Sequence, residues 1–160
     1  MPSDRHIWFL IADGAHARIV SEGKIAGAYA TLWTADSADA HHRAHDLMSD
    51  RPGRTRESAN SAHHAIEPKT DPSLGPKIAF CHIVAAQINA ASAERKFDHL
   101  FVVAPPKIVA LIEAALDLKA SAMLEGELHK DLTKVPDGEL GTHLDQIRAR
   151  IRNGMQAAPR

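Results

Sequence analysis

Leu100-Phe101-Val102-Val103-Ala104 is closed at once by Pro105-Pro106, and this stretch restricts the architecture more than any other. It is too short for a core helix and has no polar residue to turn toward water. It reads as a strand buried on both faces. Such strands need helices packed over them, and the flanking sequence supplies them. Upstream, Asp71-Pro72 and Gly75-Pro76 signal a helix start, after which Phe80, Cys81, Val84, Ala85, Ile88 and Ala91 share one stripe at helical spacing. That helix is expected to end at Ala93 to Lys96. Downstream, Ile108, Leu111, Ile112 and Ala115 mark a second helix directly after the strand, where a parallel crossover places it.

The chain opens differently. His6 to Ala12 is almost wholly apolar, Asp13-Gly14 signals a turn, and Ala17 to Val20 resumes in extended character, which predicts a β-hairpin. Glu22-Gly23 leads into a third strand over Ile25 to Trp33. Met123 to Leu132 fits helix or strand, with LHKDLT suited to an edge strand before Pro136. From Asp137 to Arg152, Leu140, Leu144, Ile147 and Ile151 form one stripe, predicting a helix laid across the sheet. Together these elements give an α/β fold: a mixed β-sheet opening with an antiparallel meander, followed by βα units with helices packed on the sheet. The expected organisation is one domain over residues 1–153, with a long exposed loop at about 36–73 and a frayed tail at 154–160.

That loop is the part no packing pattern explains. SDRPGRTRESANSAHHAIEPKTDP, residues 49–72, shows neither helical nor strand periodicity, and a passage of this length inside a compact domain is usually functional or disordered. Its arginines Arg51, Arg54 and Arg56, with Arg43 before them and Lys69 after, suit phosphate, since a guanidinium offers a planar fork of donors. Asp46, Asp50, Glu57, Glu67 and Asp71 dilute the field, so solvated loop charge is the plainer account. The whole chain carries a formal charge of −1, so any contact with nucleic acid depends on such a local patch. Aromatic residues make up only 4%, too few for stacking platforms on single-stranded nucleic acid.

Histidine is plentiful by contrast. His41 and His45 stand one helical turn apart, with His42 beside them and His63 and His64 further on. Neutral imidazoles ligate metals, and Asp46, Asp50 or Glu67 could complete a set. No cysteine accompanies them and no His-Glu-x-x-His spacing occurs, so no metal or other cofactor is expected. A metal-dependent hydrolase built on His41, His45, His63 and His64 is the alternative this cluster leaves open. Asp13 could serve a cleft at a strand end, although Asp-Gly is also a common hairpin turn. Cys81 lies on the apolar stripe and reads as a core residue. No phosphate-binding glycine loop and no nucleophile-elbow motif is present.

Five blocks taken together, ADGAHARI (12–19), SDRPGR (49–54), HAIEPKTDP (64–72), VVAPP (102–106) and HKDLT (129–133), resemble the bacterial host attachment proteins, the proteins required for attachment to host cells. The resemblance runs from about residue 6 to residue 145. That family in turn is distantly similar to the middle domain of archaeal and eukaryotic peptide-chain release factors: a meander with an Asp-Gly turn, a long exposed loop, a long helix and a hydrophobic strand matched by Phe101 to Ala104. In those factors the loop carries Gly-Gly-Gln. This sequence has no Gly-Gly-Gln, and Gln87 falls inside the predicted helix, so release-factor catalysis does not carry over.

What the resemblance implies is an exposed, arginine-bearing loop on a rigid α/β body. The expected function is a binding module, not an enzyme, that meets structured RNA or the ribosome through Arg51, Arg54, Arg56 and Lys69. A protein–protein module, including a homo-oligomer, is the other alternative. The apolar start at HIWFLIA is far shorter than the roughly 20 residues a bilayer requires and Asp13-Gly14 follows where a signal peptidase wants small residues, so no membrane association and a cytoplasmic location are expected.

Overall fold

A computed structural model of the chain describes residues 5–25, 27–37 and 72–157. Five strands form one sheet in the order β3-β2-β1-β4-β5: β1 (Ile7–Ala12), β2 (His16–Glu22), β3 (Tyr29–Asp36), β4 (His99–Val103) and β5 (Leu124–Leu128). The β1-β2-β3 meander is antiparallel, while β4 lies parallel to β1 and β5 parallel to β4. Hence β1, β3, β4 and β5 all end at the same edge of the sheet. The fold class expected from the sequence is the one observed.

Helix α1 (Leu74–Ala93) returns the chain from that edge, and α2 (Pro106–Ala115) starts at it. Both pack on one face of the sheet, where Trp8, Leu10, Ala12, Ile19, Leu100 and Val102 meet Phe80, Val84 and Ile88 of α1 and Ile108 and Ile112 of α2. All six residues of the predicted α1 stripe are buried. The opposite face carries Phe9, Ile11, Val20, Tyr29, Phe101 and Val103 against Leu140 and Leu144. Strand β1 therefore lies between two layers, and Phe9, Leu10 and Ile11 are each 0% exposed. Burying side chains of this size contributes about 1.5–3 kcal/mol apiece.

Three elements depart from the sequence expectations. β3 begins at Tyr29, not Ile25, because Gly27 at φ +82° closes a turn in which Gly23 donates to the Ala28 carbonyl, leaving Ile25 76% exposed. Within β3 the pairing shifts between Ile19↔Trp33 and Val20↔Thr31. Leu32 is the extra residue of this bulge, so Thr31 and Trp33, which would share a face in a regular strand, turn to opposite faces.

A short helix, α3 (Leu118–Met123), leads into the segment that the sequence left open between helix and strand, and that segment begins as β5. Asp117 caps that helix by accepting from the Ala120 amide at 2.8 Å. LHKDLT is not the strand: β5 stops at Leu128, the Asp131 carboxylate accepts from the amide and hydroxyl of Thr133, and Leu132 folds into the second core layer. Such local side-chain bonds compete with a strand ladder. At the C-terminal end a 3₁₀ turn (Asp137–Glu139) precedes α4 (Gly141–Ala157), whose helical backbone continues past Gly154.

Candidate functional site

The turn between β1 and β2 is organised by Asp13. Its Oδ1 accepts from the backbone amides of Ala15 at 2.7 Å and His16 at 2.6 Å, while its own amide donates to the His16 carbonyl at 2.9 Å. The His16 ring Nδ1 lies 3.1 Å from Oδ2 and 3.2 Å from Oδ1. Burial by itself would raise the Asp13 pKa, but the two amides and the imidazole outweigh it and hold the carboxyl below its ordinary value. Asp13 thus does what a turn residue does, and Gly14 answers a steric demand. A Cβ on Gly14 would stand 2.9–3.1 Å from the aliphatic stem of Lys77.

Those contacts tie two distant parts of the chain to one place. Just after β3, the Ser37 amide donates to the Ala15 carbonyl at 2.6 Å, and in the first turn of α1 Lys77 crosses Gly14. Ser37 and Lys77, which stand on either side of residues 38–71 in the sequence, therefore both lie at the Gly14-Ala15 turn. Ligand sites in open α/β sheets favour this location, outside the carboxyl ends of parallel strands.

Beside the turn, on the α4 side of the sheet, a cleft of about 250 Å³ is lined by His16, Ala17, Arg18, Thr34, Asp36, Thr133 and Lys134. Arg18 lines it and holds the 129–137 segment through its two terminal nitrogens, while its buried Nε has no hydrogen-bond partner among the described residues. The terminal nitrogens donate to Asp137 at 3.1 Å and to the carbonyls of Leu132 and Val135. Thr133 is held by Asp131 at 2.6 Å, with Asp13 Oδ2 at 3.4 Å. The side chains of Thr34, Asp36 and Lys134 make no hydrogen bond or ion pair among the described residues. The cleft therefore offers an ammonium and a carboxylate that are not spent on each other.

Of the residues singled out in the sequence, Asp13 and Gly14 lie at this site. Arg43, Arg51, Arg54, Arg56 and Lys69 lie outside the described residues, as do His41, His42, His45, His63, His64, Asp46, Asp50 and Glu67. No group of three or more potential metal ligands occurs among the described residues. Cys81 is buried in the α1 core and burial pushes its thiol up to about 11, as suits a packing residue and not a nucleophile. No described helix is long and apolar enough to cross a membrane.

Arg18, Thr34, Asp36 and Lys134 were not legible as a group. The available signal was indirect: ADGAHARI and HKDLT stand out as blocks more than 100 positions apart, and the fold brings them together at this cleft.

A family model described as "Protein required for attachment to host cells" matches residues 8–144. No curated protein matches the chain. Among solved structures, the chain is similar to one described as an archaeal protein, at 12% identity and a TM-score of 0.45, covering 94% of this chain and 41% of that one. It is also similar to the crystal structure of an archaeal translation termination factor, at 12% identity and a TM-score of 0.43, covering 96% and 43%. The chain spans about two fifths of the length of each.

Proposed function

The chain belongs to the family of proteins required for attachment to host cells, and within that family we propose that it works as an RNA-binding module of the cytoplasm, meeting structured RNA such as the ribosome's. Arg51, Arg54, Arg56 and Lys69 contact phosphates; the α/β body holds the segment that carries them. The observation behind this reading is that Ser37 and Lys77, on either side of that segment in the sequence, both meet the Gly14-Ala15 turn, at the carboxyl edge of four strands. Three arginines fall within the six residues Arg51 to Arg56, and guanidinium forks match phosphate oxygens bidentately. The module binds without release-factor catalysis, since Gly-Gly-Gln is absent from the sequence.

RNA affinity measured across a salt series tests it. The wild-type chain should bind a structured RNA more weakly as salt rises, and each arginine replaced by alanine should flatten the log–log slope by about 0.7–0.9. Loss of the three arginines together should remove about two units of slope or more. A wild-type chain that binds no RNA at low salt, and sediments away from ribosomes in lysate at low salt, overturns the reading.

A further inference from the structure

We infer that the cleft between β2, β3 and the 129–137 segment takes a single nucleobase by its hydrogen-bonding edge, with guanine the best match; this rests on the RNA-binding reading and names what that same site selects. Size comes first. At about 250 Å³ the cleft lies just below the range of small-molecule pockets, so it admits one ring system of a longer ligand and not a whole cofactor.

Charge comes second. Arg18 is neutralised by Asp137, and His16 sits against Asp13. The remaining polar lining residues are Lys134, Asp36, Thr34 and Thr133, the Thr133 hydroxyl donating to Asp131. Their charges cancel or lean negative, so a phosphate gains no net attraction here. A neutral group with donors and acceptors along one edge does.

Chemistry decides which. An ionised carboxylate only accepts hydrogen bonds and an ammonium only donates. Asp36 and Lys134 line one cleft without pairing, so a ligand that spans them must present donors toward one and an acceptor toward the other. Guanine carries two adjacent N–H donors beside a carbonyl acceptor. Uracil has a single N–H between two carbonyls and leaves the carboxylate half-served. Edge reading of an unpaired base is also the recognition mode open to a chain short of aromatic stacking residues.

The test uses the isotopically labelled full chain, titrated with guanosine monophosphate, uridine monophosphate or ribose phosphate while the amide signals of Thr34, Asp36, Thr133 and Lys134 are followed. Guanosine monophosphate should shift them saturably, uridine monophosphate about ten- to a hundredfold more weakly, and ribose phosphate not at all; that ratio is the weight of one hydrogen bond to a charged group. Asp36→Asn should lower guanosine monophosphate affinity by a similar factor and leave the remaining spectrum unchanged, because the Asp36 side chain makes no hydrogen bond or ion pair among the described residues. Equal shifts with ribose phosphate would mean a phosphate site and overturn the inference. So would indifference to Asp36→Asn, no response to guanosine monophosphate, or shifts seen only with an arginine amide, which would indicate a peptide partner. These titrations contain no RNA chain, so they fail or succeed independently of the salt series on Arg51, Arg54 and Arg56.

Discussion

The Arg18 guanidinium on β2 and the Asp137 carboxylate at the start of the C-terminal helical segment meet at 3.1 Å across 119 positions of sequence. Asp137 in turn accepts from the hydroxyl of Thr31 at 2.8 Å and from its amide at 3.1 Å, so one carboxylate covers an open amide of the edge strand β3. Replacing Arg18 by Met should cost about 2–4 kcal/mol, because two carbonyls and a half-exposed carboxylate lose their donor together. Arg18→Lys should recover only part of this, since an ammonium cannot reproduce the fork. Urea denaturation of the three proteins measures both differences; equal stability of wild type and Arg18→Met contradicts the pinning role.

Asp13 predicts an acid dependence. Its folded pKa lies below the ordinary carboxylate value, so its contribution is complete above about pH 4, the unfolded value, and is lost as pH falls through the lower folded value. Asp13→Asn keeps an acceptor for the turn amides but loses the charge. It should be less stable than wild type by about 1 kcal/mol at pH 7 and should converge with it as pH falls through the lowered folded value. A stability gap that stays constant across that range would show that the carboxylate's charge plays no part.

Tyr29 is the only tyrosine in the chain, which makes its ionisation directly readable. Burial first, and then the Asp145 carboxylate that accepts its hydroxyl at 2.9 Å, raise its pKa far above the ordinary value of about 10. Because the folded value is raised, the stability this site contributes is complete below about pH 10 and fades as pH climbs toward the folded value. In a spectrophotometric titration tyrosinate should not appear near pH 10 and should rise only with unfolding. Ordinary titration at pH 10 in a folded protein would contradict the docking of α4 through Asp145.

Much of the architecture was legible because its signals are local. Five apolar residues stopped by two prolines could only be a doubly buried strand, and the stripe from Phe80 to Ala91 needed one face of a helix. β3 was set four residues early because nothing in composition marks Gly27 as the positive-φ residue of the turn. LHKDLT looked like a strand because its competing bonds, from Asp131 to Thr133, depend on short-range geometry that hydropathy does not register.

The candidate site divides along the same line. Period, apolar runs and turn residues are properties of neighbours in the chain, so the sequence alone determined the β1-β2 hairpin, β4, the two central helices with the α1 stripe, and the Asp13-Gly14 turn. The meeting of Arg18 with Asp137, the convergence of Thr34, Asp36, Thr133 and Lys134, and the approach of Ser37 and Lys77 to Gly14-Ala15 were decided only in three dimensions. Polar side chains that bond across 100 positions leave no period behind, because what selects them is the register of one strand on another and the path of the segment that closes over it.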